Sequence, residues 1–135
     1  MDISKAIAIS ARGMDAQTAR LRVIAENIAN QDSTGSTPGA DPYRRKTITF
    51  ENKLDKELGV DTVQVRKVDT DRSDFPQRFD PSHPGADNKG YVRTPNVNSF
   101  VEVMDMREAQ RGYSANLNVM EATRAMLTRT IELLK

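Results

Sequence analysis

Apolar residues recur at intervals of seven near the start of the chain, at Ile7, Met14, Leu21 and Ile28, with Ile3, Ala11, Ile24 and Ala25 filling the flanks of the same stripe. A seven-residue apolar repeat on a helix is the seam of a coiled coil, although one amphipathic helix on a globular core gives a similar pattern over four repeats. Toward the other end, Val103, Met106, Gln110, Tyr113, Leu117, Met120, Arg124, Leu127, Ile131 and Leu134 alternate in steps of three and four. That spacing predicts a long helix–helix seam broken only by Gln110 and Arg124. Those two either fix a register, as buried polar seam residues do, or reach to a solvated flank. The C-terminal helix, from about Asn98 to Lys135, would be about 57 Å long and the N-terminal arm about 45 Å or less. Gly13 costs about 1 kcal/mol in a helix interior, so the arm calls for external packing.

Between the arms the period changes. Lys46 to Phe50 (KTITF) and Thr62 to Val68 (TVQVRKV) alternate apolar and polar with β-branched residues, as short strands do. From Phe75 to Asn96, four prolines and two glycines exclude regular structure over most of the length. Phe75, Phe79, Tyr91 and Val92 give this stretch anchors, so an extended segment docked on a surface is expected. The predicted fold class is mainly α: long N- and C-terminal helices forming a coiled coil, with a small β-hairpin and irregular middle. The segments are 1–30, 31–97 and 98–135. At the first junction, Asn27 and Asn30 are expected to cap or turn the helix end, since Asn tolerates the left-handed geometry that closes helices.

Composition narrows the function. The 135 residues suit one ordinary domain, but 37% apolar and 5% aromatic content with no Trp is thin material for a private core. Burial shared with partners is therefore expected. Twenty basic and nineteen acidic residues leave a net charge of +1, which offers no electrostatic case for nucleic acid or an anionic membrane. No stretch approaches the roughly 20 apolar residues of a membrane span, and the first thirty residues lack the apolar core of a cleaved secretory signal. Cysteine is absent, which removes disulfides, thiolate nucleophiles and Cys-based metal sites.

Candidate chemistry is sparse. His83 sits between prolines in DPSHPGAD, where a site could be built with Asp80 and Asp87, but a lone His in such a loop is more often structural. Asp69, Asp71, Ser73 and Asp80 only loosely follow calcium-loop spacing: Asp74 stands where Gly is needed, and Pro76 interrupts. No nucleophile elbow, phosphate-binding glycine loop or metalloprotease motif is present. No catalytic residue, metal site or cofactor is expected. Arg44, Arg45 and Lys46 form a short basic run, suited to a solvated strand start or to pairing with carboxylates on a neighbouring chain.

Several motifs then coincide. The first helix ends in Glu26-Asn27-Ile28-Ala29-Asn30, followed by a Ser/Thr/Gly loop and Tyr43-Arg44; further on come Asn96-Val97-Asn98, Glu102 to Met106, and Tyr113-Ser114-Ala115-Asn116. In these the chain resembles the rod and hook axial proteins of the bacterial flagellum. Pro42-Tyr43-Arg44-Arg45-Lys46, with Asp80-Pro81-Ser82-His83-Pro84-Gly85-Ala86-Asp87 and Gly90-Tyr91-Val92, is similar to the proximal-rod member of that family. Departures are local: Glu26 stands where Ala is common, Ser114 where Gln is common, and Gly112 where a better helix former is usual.

The resemblance implies a structural subunit of the proximal rod, part of the shaft that crosses the periplasm and transmits torque. It implies export through the flagellar type III apparatus without a cleaved signal. The implied partners are other copies, other rod proteins and the rod–ring adaptor FliE, with no nucleic acid and no membrane insertion. Ile7, Met14, Leu21, Ile24, Ile28, Val103, Met106, Tyr113, Leu117, Met120, Leu127, Ile131 and Leu134 would pack subunits together. Asn27, Asn30, Tyr43, Arg44, Arg45, Asp80, Pro81, His83, Pro84, Asn96, Asn98 and Asn116 would form the junctions. Competing readings are another rod or hook axial protein, a soluble coiled-coil adaptor or chaperone, and a metal-dependent enzyme using His83. Both the residue patterns and the resemblance lead to one mechanism, burial deferred until assembly.

Overall fold

The structure, a computed structural model, describes residues 2–135. Along the chain run α1 (Ile3–Ala29), β1 (Lys46–Asp55), β2 (Val60–Thr70), β3 (Gln77–Phe79), β4 (Tyr91–Arg93) and α2 (Ser99–Leu133). β1 pairs with β2, and β3 with β4, as two small antiparallel sheets. The alternation that ends at Phe50 in the sequence does not end the strand. β1 continues to Asp55, whose carboxylate accepts the N–H groups of Glu57 and Leu58 at 3.0 and 3.2 Å and so closes the turn. Gly59, at φ +65°, supplies the left-handed residue the turn needs.

The chain forms two compact units: residues to 21, 48–67 and 106–135 make the first, and 22–47 with 68–105 the second. In the first, α1 and α2 lie antiparallel. The Asn116 amide rests on Gly13, the Gln17 amide on Gly112, and Arg20 reaches Glu108 at 3.6 Å. The buried residues here are small: Ser10, Gly13, Ala16 and Ala109. On the flank of α1 lies β2, with Arg12, Asp15 and Ala16 lining a shallow hollow shared with Val63, Gln64 and Val65. Thr62 is buried and donates its hydroxyl to the Lys53 carbonyl at 3.3 Å.

The coiled-coil fold class is therefore corrected. A coiled coil buries its apolar heptad positions as knobs, yet Val103, Leu127, Ile131 and Leu134 are exposed, while Ile7, Met14, Leu21, Met106, Tyr113, Leu117 and Met120 are only half-buried. The two helices meet instead through glycine, alanine and amides. At 100° per residue, that contact stripe lies to one side of the apolar repeat. Two helices beside two β-sheets also make the fold mixed rather than mainly α. Gln110 and Arg124 are exposed and do not sit in the helix contact.

The second unit holds the remaining core: Val23, Ile24 and Val92 among apolar residues, with Asn27 and Glu102 fully enclosed. β3 and β4 pair Gln77 with Arg93, Arg78 with Val92 and Phe79 with Tyr91. The last two rings meet edge to face at 5.3 Å. Gly90, at φ +85°, comes so close to this pair that a Cβ there would lie 2.9 Å from the Phe79 ring and 3.0 Å from Pro81.

Candidate functional site

Asn27, Tyr43, Arg45 and Lys46 of the second unit converge with Glu102 on one buried polar cluster. Its centre is Asn27, 1% exposed on the last turns of α1. Its Oδ1 accepts the Tyr43 hydroxyl at 2.8 Å and the Lys46 backbone N–H at 2.8 Å. Its Nδ2 donates to the Lys46 carbonyl at 2.9 Å and to Glu102 Oε2 at 3.3 Å. One side chain thus satisfies all its own capacity and both backbone groups where β1 begins. Lys46 opens β1, and a buried backbone N–H and C=O need partners of this kind wherever strand pairing does not supply them.

Glu102, in the first turn of α2, is completely enclosed. Arg45 donates its Nε to Glu102 Oε1, and its other nitrogens lie 3.6 Å from Asp71 and 3.6 Å from Asp105. Burial alone pulls the Arg45 guanidinium down, but the hydrogen bond and charge of Glu102, then Asp71 and Asp105, carry it above its ordinary value. Arg45 accordingly stays charged. Burial raises the Tyr43 phenol, partly opposed by Lys46, so it remains a hydroxyl donor to Asn27. Lys46 pairs with Glu26 at 2.8 Å, which raises it. Arg44, Arg45 and Lys46 therefore find their carboxylate and carbonyl partners inside this chain.

A second ring of contacts holds the connecting segments. Asn96 Oδ1 accepts the Arg45 N–H at 2.7 Å, and its Nδ2 reaches the Asp71 carbonyl at 3.0 Å and the Ser73 hydroxyl at 3.0 Å. Arg44 donates to the carbonyls of Asp71 and Ser73 and lies 4.1 Å over the Phe75 ring. The Ser73 N–H and hydroxyl hold the Asp71 carboxyl below its usual range. Asn98 caps α2 by accepting the Phe100 N–H at 3.0 Å.

The Ser/Thr/Gly loop is braced by the DPSHPGAD loop. His83 Nδ1 accepts the Gly85 N–H at 2.9 Å and Nε2 meets the Thr34 hydroxyl at 2.9 Å, so both ring nitrogens are engaged. Asp80 accepts the Ser82 hydroxyl at 2.8 Å, Pro81 packs at Gly90, and Pro84 is exposed. Asn30 turns its amide back to the Glu26 carbonyl at 2.8 Å and accepts the Ser33 hydroxyl. The left-handed geometry expected of Asn27 and Asn30 is not found: no non-glycine residue among those described has positive φ. Asn27 lies within α1, and Asn30 ends the helix with its side chain instead.

Asn116 stands apart from this cluster, on Gly13 in the first unit. Sequence reasoning set aside three residues that matter. Glu102 was one letter of a motif, and Gly13 and Gly112 were only costs to helix stability. A usable signal existed: each helix carries glycine four residues before an amide, Gly13 with Gln17 and Gly112 with Asn116.

The arrangement is chemically quiet. Its charges are paired and its amides saturated, as in a clasp that fixes where α1, β1 and α2 begin and end. The family described as flagellar basal body rod FlgEFG protein, C-terminal, matches residues 88–133. The flagellar basal-body rod protein FlgC of Agrobacterium fabrum is 53% identical over 98% of this chain and 96% of its own length. The FlgC proteins of Borreliella burgdorferi and Bacillus subtilis are 35% and 33% identical, over 100% and 93% of this chain and 99% and 93% of their own.

Proposed function

The chain belongs to the FlgC family of flagellar basal-body rod proteins, and we propose that it builds the proximal part of the rod through the apolar surface its own fold leaves open. It is a structural subunit of the bacterial flagellar basal body. Its clasp shapes the subunit, and assembly rather than chemistry is its work. The observation that carries this reading is the outer part of α2: Val119, Met126, Leu127, Ile131, Leu133 and Leu134 are 38–85% exposed. Covering that surface is worth on the order of 7 kcal/mol. Ordering a subunit costs about 4–15 kcal/mol. One such contact barely breaks even, so several neighbours must share each subunit, as in a tube.

The half-buried Ile7, Met14, Leu21 and Ile28 on α1, with Met106, Tyr113, Leu117 and Met120 on α2, extend the packing surface. Val103, exposed at the start of α2, adds to it, while Ile24 is buried and packs within the chain's own fold. The neighbours in this reading are further copies, other rod proteins and the rod–ring adaptor FliE, reached by export through the flagellar type III apparatus.

The test is Leu127→Glu/Ile131→Glu in cells lacking the native chain. Swimming should be lost and the chain should disappear from purified basal bodies while still accumulating. Normal incorporation would overturn the reading. Wild-type chain confined to the cytoplasm and absent from basal bodies would favour the adaptor alternative.

A further inference from the structure

We infer that two reciprocal glycine–amide notches set the axial register of α1 against α2, and with it the length of α2 left uncovered. A glycine inside a helix is unfavourable because it loses more backbone freedom than any other residue, and here each helix carries one at the contact. A Cβ on Gly13 would lie 2.8 Å from the Asn116 amide, and one on Gly112 would lie 3.1 Å from the Gln17 amide. Stepping four residues up α1, from Gly13 to Gln17, matches stepping four residues back along α2, from Asn116 to Gly112. The notches therefore interlock as a pair, each helix giving one gap and one plug.

The plugs are held for their shape. Asn116 Nδ2 donates back to the Gly112 carbonyl at 3.0 Å, which pins its amide over Gly13. Gln17 Oε1 is buried with no hydrogen-bond partner among the described residues. A buried acceptor without a donor is unfavourable, so hydrogen bonding does not account for Gln17 at this position and its fit against Gly112 does. Sliding by one turn would set Gly13 against Gly112 and Gln17 against Glu108 in one direction, or Gln17 against Asn116 and Gly13 against Met120 in the other. Apolar residues alone would not forbid such a slide, because Leu and Met repack readily.

The register has a visible result. α1 begins at Ile3, ten residues before Gly13, and that point falls opposite Met126, ten residues after Asn116. Every residue from 124 to 135 is exposed. The notch thus sets where the free end of α2 starts; that this end meets a neighbour rests on the proposed function above.

The chain has no native cysteine, so introduced pairs report the register without background. Full-length chain carrying Arg20→Cys/Glu108→Cys in cells should be joined by a short bismaleimide. Arg20→Cys/Ala115→Cys, displaced by about two turns on the same face, should not. Adding Gly13→Leu should lower the ratio of the first product to the second about tenfold. The transposed pair Gly13→Asn/Asn116→Gly should restore it. An unchanged ratio in Gly13→Leu, or equal loss in the transposed chain, would overturn the inference. If Gly13→Leu is degraded, accumulation of the transposed chain supports the notch and its degradation counts against it. Basal-body content is scored separately, so a failure of assembly with the cross-link intact strikes the proposed function and not the register.

Discussion

Replacing Arg45 with methionine strips the charge partner from a carboxylate that has no contact with water. Glu102 is 0% exposed and its two oxygens rest on Arg45 Nε and on the Asn27 amide, the latter a long 3.3 Å. Asp71 and Asp105, the other partners of Arg45, are about one-third exposed and can turn to solvent at little cost. Glu102 cannot. Removing one partner of a buried pair costs about 3–5 kcal/mol, a large share of the 5–15 kcal/mol typical of a domain. At about 1.5 kcal/mol per molar urea, the midpoint should fall by about 2 M or more. The chain contains three tyrosines and no tryptophan, and Tyr43 lies in the clasp, so tyrosine fluorescence with circular dichroism can follow the transition. Glu102→Gln keeps the size and an acceptor for Arg45 and should cost only about 1–2 kcal/mol. The double replacement Arg45→Met/Glu102→Met removes both charges and should recover to within about 1 kcal/mol of the native chain. A double variant as unstable as the two single losses combined, or an Arg45→Met loss under about 1 kcal/mol, would refute the claim that charge desolvation dominates here.

Asn27→Ala should cost about 3 kcal/mol, since it orphans the Lys46 N–H and the Tyr43 hydroxyl together; fast amide exchange at Lys46 is the accompanying sign, and retained protection would contradict it. Gln17→Met keeps the shape and removes the unpaired acceptor, so the urea midpoint should hold or rise; a loss above about 1 kcal/mol would show that Gln17 has a partner after all. Gly90→Ala meets both a positive φ and the unyielding Pro81 ring, and should cost about 1–3 kcal/mol with loss of the Phe79–Tyr91 ring contact, visible in the aromatic chemical shifts. Asp71 and Asp87 are held low by the N–H groups of Ser73 and Tyr91, so their contribution is present above about pH 4 and lost as pH falls through the lowered values. Lys46 and Tyr43 are raised, by Glu26 and by burial respectively, so theirs is present below about pH 10 and lost as pH climbs through the raised values. A urea midpoint that rises steadily from pH 9 to 11 would contradict that sign.

Much of the secondary structure was legible because period and punctuation are local. The seven-residue spacing from Ile7 to Ile28 and the steps of three and four after Val103 mark helices, and α1 and α2 occupy those stretches. KTITF and TVQVRKV mark strands, though Asp55 and Gly59 carry the hairpin further than alternation alone suggested. Motif order was legible as well, and it carries the family resemblance. What the motifs do was not. Tyr43, Arg45 and Asn96 are separated along the chain by up to fifty-three residues, and nothing in their spacing says that Asn27 and Glu102 will lie between them.

By itself the sequence placed both helices and the first hairpin but not the short β3 and β4, showed an apolar supply thin for a private core, and brought out which family the chain resembles. The tertiary structure alone decided which faces meet. Periodicity names an apolar stripe but not its partner, so it assigned the leucine and methionine positions to a seam that stays largely open. The helices approach instead where Gly13 and Gly112 let the backbones come close, because contact distance is governed by the smallest side chains, not the greasiest. The same holds for charge: a basic run reads identically whether it faces a neighbour or its own chain. Only the fold places Glu102 out of reach of water and directly on Arg45.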